Sequence, residues 1–198
     1  LKYKDIYNLK KEINNNELIS KYFFILPKKL PKNIINLFGD KIIFRKSKFN
    51  NSDFTLNEVL KHSLLSLEKK KNYFDLVVII NPNYLFRPKK LFNKLINTHC
   101  LNGYDTVFMG TEETQDHWYY DEKLQNYEQI YNDHELSNKI IYKSLIGLGS
   151  VTLPSLLRKG QIIGKNIGIV PIKNKYFSLR NTDIEKNKLS KIKNILNI

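Results

Sequence analysis

No alanine occurs among the 198 residues, and cysteine, methionine and tryptophan occur once each. With Lys, Asn and Ile abundant, the missing alanine reads as a bias toward AT-rich codons, so composition alone is a weak guide to function. The single cysteine, Cys100, excludes an internal disulfide and fits a reducing compartment. His62, His99, His117 and His134 are scattered, which with one cysteine excludes a Cys/His zinc site of the usual spacing. His99 and Cys100 are adjacent, yet adjacency does not supply the spatial pairing that nucleophilic catalysis needs, and they read as an ordinary helix end. No apolar run approaches the roughly 20 residues that span a bilayer, and no signal-peptide pattern opens the chain. A soluble, cytoplasmic protein without a membrane partner is expected. Neither a Walker loop nor a dinucleotide fingerprint is present, which removes those two phosphate-binding classes.

Arginine is scarce as well. Arg45, Arg87, Arg158 and Arg180 are the only four, so lysine carries nearly all of the formal net charge of +14. Such a charge raises nucleic acid as a partner. The lysines are spread along the chain without a recognition motif, and they read as a solvated surface; a basic nucleic-acid-binding domain is kept as a separate hypothesis.

What the chain does contain is an alternation of short apolar runs and helical spacings. Tyr22 to Leu26 reads as a strand ended by Pro27, Lys32 to Phe38 as a helix opened by Pro31 and stopped by Gly39, and Lys41 to Arg45 as the next strand. Asp53 or Thr55 caps a longer helix through Lys70, with Leu56, Val59, Leu60, Ser63, Leu64 and Leu67 on one face. The buried-strand pattern Asp75 to Ile80 follows and stops at the polar turn Asn81-Pro82-Asn83-Tyr84-Leu85-Phe86-Arg87. A helix over Pro88 to Asn97 and a strand over Asp105 to Met109 come next, separated by the turn Asn102-Gly103. Regularity then fails, and residues 111–142, aromatic and polar, read as an inserted arm. It returns with the small-residue turn of Gly147 and Gly149, a short helix Pro154 to Lys159, a strand Gly168 to Ile172 and a helix from about Asp183 to Leu196. The sum is one α/β domain over 1–198 with a mostly parallel sheet.

In an open α/β sheet, ligands bind at the carboxyl ends of strands. Polar residues follow the apolar strands at Arg45, at Asn81 with Arg87, and at Glu112 with Glu113; a further polar segment is Arg180-Asn181-Thr182-Asp183-Ile184-Glu185. A guanidinium matches the paired oxygens of a carboxylate or phosphate, although a surface ion pair is an equal reading for Arg45 and Arg87. Acidic groups at a strand end suit Mg²⁺, whereas Asp183 beside Thr182 also suits a helix cap.

The order of these pieces resembles the acylneuraminate cytidylyltransferases, the CMP-sialic acid synthetase group that activates nonulosonic sugars with CTP. The likeness runs over nearly the whole length. The family's central strand ends in Gln-Pro-Thr-Ser-Pro-Leu-Arg, against which Pro82 and Arg87 match. Lys41-Ile42-Ile43-Phe44-Arg45, then Asp53-Phe54-Thr55 and the helix of His62, are similar to the family's strand, Arg-Pro and Asp-x-Thr/Ser. Asp105-Thr106-Val107-Phe108-Met109 with Thr111-Glu112-Glu113 resembles its Asp-Ser-Val strand and Glu-rich turn. Gly149-Ser150-Val151, Leu156-Leu157-Arg158 and Ile163-Gly164-Lys165-Asn166-Ile167-Gly168 follow in the same order.

The resemblance implies a Rossmann-like three-layer nucleotidyltransferase fold with an inserted dimerisation arm, a homodimer, Mg²⁺ as cofactor, and transfer of CMP from CTP to a sugar acid with release of pyrophosphate. By the same token Arg87 and Asn81 are implied as catalytic, and Arg45, Asn83, Glu112 and Tyr120 as substrate-binding, with Trp118, Tyr119, Tyr120 and Tyr131 suited to the arm's interface. Two departures accompany it. The family opens with a strand and an Arg-x-Gly-Ser-Lys loop, whereas Leu1 to Ile19 has no glycine and Asp5 to Ile13 resembles the helix after that loop. The first strand and loop are therefore expected to be missing from this chain, either as a fragment of an active enzyme or in a degenerate, inactive member that binds sugar or dimerises. The family's terminal Asp-Ile-Asp-Thr-x-x-Asp, matched without a gap through Thr182, falls on Leu179 and Asn181; a shifted register gives Asp183 and Glu185 as the metal ligands instead. The gapless match is slightly preferred.

Overall fold

The computed structural model describes residues 3–27, 35–36, 38–39, 41–46, 55–84, 86–113, 118–121, 123, 125–129 and 140–180. Helix α1 (Tyr3–Asn14) is amphipathic and buries Leu9 and Ile13, one turn apart. Strand β1 (Phe24–Leu26) lies parallel to β2 (Ile42–Phe44), with Phe24 opposite Ile42 and Leu26 opposite Phe44. Helix α2 (Leu56–Glu68) starts where expected because Thr55 closes a capping box: Glu58 N–H donates to Thr55 Oγ1 at 3.4 Å, and Thr55 N–H donates to Glu58 Oε2 at 2.9 Å. Asp53, the alternative cap, lies outside the described residues.

Strand β3 (Val77–Ile79) follows, then helix α3 (Leu91–Asn102). This helix begins three residues later than the Pro88 of the sequence pattern and runs five residues further than Asn97. Lys90, at its N-cap, takes a left-handed backbone at φ 59°, so the helix cannot include it. At the other end the apolar stripe continues from Leu91, Leu95 and Ile96 to buried His99, and Gly103 ends the helix at φ 64° with its N–H on the His99 carbonyl.

Strand β4 (Thr106–Glu112) is the spine of a five-stranded sheet. The expected insertion contains a hairpin of β5 (Trp118–Asp121) and β6 (Asn126–Gln129), with Tyr120 opposite Tyr127. Strands β7 (Tyr142–Ser144) and β8 (Ser150–Thr152) then pair antiparallel with β4 along one edge, end to end: β7 against Gly110–Glu112, β8 against Thr106–Phe108. Between them the chain leaves the sheet, and Met109 bridges the gap by accepting from Leu145 N–H at 2.8 Å and donating to the Gly149 carbonyl at 3.0 Å. Helix α4 (Pro154–Lys159) leads to β9 (Ile167–Ile172), which runs parallel along the other edge of β4. Strand β3 pairs antiparallel with β8. Thus β3, β4 and β9 share one direction, β7 and β8 oppose it, and a 3₁₀ turn, Lys175–Ser178, follows β9. The helix expected from Asp183 lies outside the described residues, as does most of that expected from Lys32.

The side-chain alternation of β3 shows why helices cover both faces. Ile79 and Val77 pack with Leu60 and Leu64 of α2, Leu157 of α4 and Ile162. Val78 and Ile80 pack the opposite way, against α3 and, through Leu9, Ile13 and Phe92, against α1. The result is a three-layer α/β domain. One polar staple crosses it. Buried Thr106 and Thr152 sit 3.2 Å apart across β4 and β8, and both hydroxyls reach the Ile162 carbonyl, at 2.9 and 2.7 Å. Two hydroxyls are thereby satisfied inside an apolar layer, and the loop before β9 is fixed to the sheet.

Candidate functional site

The carboxyl ends of β3 and β4 point to the same end of the molecule, where the excursion Leu145–Gly149 meets the polar turn after β3. Asn81 is the centre of that turn. Its N–H donates to the Gly147 carbonyl at 2.7 Å, and its side-chain Oδ1 accepts the Asn83 N–H at 2.9 Å, an Asx turn. Its carbonyl accepts from Tyr84 N–H at 3.2 Å and from Arg87 Nη2 at 3.0 Å. Arg87 is thus tied back to the first residue of its own turn and lies half-buried at the strand end. Tyr84 and Phe86 are buried beneath it, at 3% and 1% exposure, which makes the turn part of the core. Gly147 has to be glycine in this packing, since a Cβ there would lie 2.9 Å from the Tyr84 ring and 3.1 Å from Asn81 Cβ.

Two groups join this turn that sequence reasoning did not single out for it. Glu12 of α1 lies in the field of Arg87; burial pushes its carboxyl above the usual carboxylate range, and the Arg87 charge pulls the other way. Its neighbour Ile13 packs with Leu9 on Phe92 of α3, with Val78 and Ile80 alongside, so α1 lies against the strand that leads into the turn. Arg180 forms an isolated antiparallel bridge with Tyr84. Its guanidinium lies 5.5 Å from the Tyr84 ring centroid, with Nη2 3.5 Å from the phenolic oxygen. No short-range signal marks this pair, which is 96 residues apart in sequence.

The structure therefore brings Asn81, Asn83 and Arg87 together, as their spacing suggested. Arg45 stands at the end of β2, its N–H on the Leu26 carbonyl at 2.8 Å, and its buried Nε finds no acceptor among the described residues. A desolvated guanidinium atom of this kind suits an anionic ligand. Glu112 is exposed at the end of β4, separated from β3 by β8, or about 10 Å of sheet. For Tyr120 the backbone alone is described, and Tyr131, Asn181, Asp183 and Glu185 lie outside the described residues. Among the described residues no three His, Cys, Asp or Glu side chains gather as a metal site. No helix among them is long and apolar enough to cross a membrane.

Other motif pieces hold the scaffold. Asp105 Oδ2 accepts from Lys165 and Asn166 N–H, both at 3.0 Å, and a Cβ on Gly164 would lie 2.4 Å from Asp105 Cβ. This clasp sits at the amino end of β4, opposite the Asn81 turn. Arg158 pairs with Glu68 at 2.8 Å, joining α4 to α2 in a solvent-screened contact that adds little stability.

The overall likeness to solved structures decides the fold. 4-Diphosphocytidyl-2C-methyl-D-erythritol synthase from Anaerococcus prevotii matches with a TM-score of 0.60 over 96% of this chain and 84% of its own, at 13% identity. The chain has the Rossmann-like nucleotidyltransferase fold. CMP:2-keto-3-deoxy-manno-octonic acid synthetase, solved with CTP, matches with a TM-score of 0.60 over 98% of this chain and 87% of its own, at 8% identity. 2-C-Methyl-D-erythritol 4-phosphate cytidylyltransferase from Thermus thermophilus gives 0.57 over 98% and 89%, at 9% identity. No family model and no curated protein matches the sequence. At these identities the likeness shows the fold alone.

Proposed function

We propose that the chain is a cytidylyltransferase that binds CTP and an acidic sugar of the nonulosonic class at the carboxyl end of β3 and transfers CMP, releasing pyrophosphate. The observation that carries this reading is the Asn81 turn, which holds Arg87 by a 3.0 Å hydrogen bond at the strand end where an open α/β sheet binds its ligands. The likeness in fold to solved cytidylyltransferases supports the choice of CTP.

In the proposed reaction an oxygen of the acceptor's anomeric hydroxyl attacks the α-phosphorus. The new P–O bond forms as the bond to the bridging oxygen of the β-phosphate breaks, pyrophosphate carries away the electron pair, and the hydroxyl proton passes to solvent. Such chemistry depends on positioning and charge neutralisation. Arg87, restrained by Asn81, offers a fixed guanidinium to phosphate or carboxylate oxygens, and Arg45 offers a second at the end of β2. Asn83, Glu112 and Tyr120 are proposed to line the acceptor side. Mg²⁺ belongs to the same proposal and would neutralise phosphate charge when bound; Asp183 and Glu185, or Asn181 in the gapless register, are its proposed ligands. A homodimer through residues 111–142 and a cytoplasmic location complete the reading.

The test incubates the complete protein with CTP, Mg²⁺ and a panel of nonulosonic acids and follows pyrophosphate. Turnover at an enzymatic rate that Arg87→Gln lowers at least 100-fold is expected, the loss typical of removing a charge-stabilising group. No pyrophosphate above background with any acid would contradict the reading and favour an inactive domain of the same fold.

A further inference from the structure

The described residues carry a second guanidinium to the same turn, and neither the sequence spacing nor the reading above gives it a task. Tyr84 is almost fully buried, and its hydroxyl, like that of any buried tyrosine, needs a partner. Arg180 supplies one through Nη2 at 3.5 Å while its guanidinium packs toward the ring at 5.5 Å, and the backbone bridge to Tyr84 fixes where the arginine enters. A guanidinium held this way loses less freedom when it meets a ligand, and its planar fork matches a pair of anionic oxygens. Arg180 itself is exposed. Tyr84 is also the residue whose N–H joins Arg87 on the Asn81 carbonyl, so both arginines are anchored through one four-residue turn.

We infer that Arg180, seated on Tyr84, is a ligand-binding residue of the Asn81 turn that grips an anionic oxygen pair of the bound molecule, either a phosphate of the nucleotide or the carboxylate of the acceptor. This rests on the function proposed above for its choice of ligands, although the anion site itself does not require that the nucleotide be CTP. The pair is specific to the turn: Gly147 leaves room for the Tyr84 ring, and alanine there would not.

The experiment measures binding of pyrophosphate, CTP and N-acetylneuraminate to the full chain by calorimetry, with wild type, Arg180→Gln, Arg180→Lys and Tyr84→Phe, and records each melting temperature. Arg180→Gln is expected to weaken binding of one of these anions about tenfold or more, with only the small drop in melting temperature that losing one long hydrogen bond to Tyr84 brings. The anion affected identifies the source: pyrophosphate and CTP together for a phosphate, N-acetylneuraminate for a carboxylate. Arg180→Lys should recover the loss only in part, because the planar fork is gone. Tyr84→Phe, which keeps the ring and removes the hydroxyl, should weaken the same anion less.

Equal affinity of Arg180→Gln and wild type for all three would overturn the inference while leaving the function intact if CTP still binds. Affinity falling together with a large loss of melting temperature, and both restored by lysine, would also overturn it, as a merely structural bridge. Pyrophosphate binding that depends on Arg180 in a protein that does not bind CTP would overturn the nucleotide reading alone.

Discussion

At the scale of single residues, the site and the scaffold use polar groups differently. Asn81 spends its N–H, its carbonyl and its side-chain oxygen on the local turn and so shapes the turn that holds Arg87. The resemblance implied it as catalytic, a role that belongs to the function proposed above. His99 illustrates the scaffold's use. It is buried at 7% exposure on α3, its Nε2 has no hydrogen-bond partner among the described residues, and burial lowers its pKa against the opposing effects of the Asp105 backbone and charge. Between that lowered value and the ordinary imidazole value, the unfolded chain binds more protons than the folded one. Stability should therefore rise with pH through this window and be lost as the pH falls through it. Thermal melts across that range are expected to show the slope in wild type and its loss in His99→Gln; an identical slope in both would remove His99 as its source.

At the scale of elements, each local start and stop has a chemical cause, and those were largely legible. The Thr55–Glu58 box, the periodic leucines of α2, Pro154 at the start of α4 and Gly103 after α3 are all short-range signals. What could not be read is pairing. That β8 slots antiparallel between β3 and β4, or that β7 and β8 share one edge of β4, follows from contacts across tens of residues that no window of sequence contains. The Thr106–Thr152 staple and the Tyr84–Arg180 bridge escaped for the same reason, being 46 and 96 residues apart. The polar turn after β3 was legible because the residues that build it, Asn81 to Arg87, lie within one heptapeptide. The staple yields an element-scale expectation. Thr152→Val removes one hydroxyl, leaves the Ile162 carbonyl with Thr106 alone, and should cost about 0.5–1.5 kcal/mol in denaturant unfolding. An unchanged midpoint would show that the loop before β9 does not depend on it.

For the whole molecule, α2 and α4 on one face and α1 and α3 on the other bury a core around β3, β4 and β8 and leave the strand ends at one edge as the place for the proposed chemistry. The formal charge of +14 acts over this same surface and would draw any anion toward it, so retention on an anionic resin does not discriminate among ligands. Site-resolved binding does. The most direct measurement is a CTP titration of the isotopically labelled protein followed by NMR. The account expects saturable shifts of the Asn81, Asn83 and Gly147 amides and the Arg87 guanidinium, with little change at the Asp105–Asn166 clasp at the opposite end of β4. Saturable CTP binding that leaves the Asn81 turn unmoved and shifts residues elsewhere would contradict it.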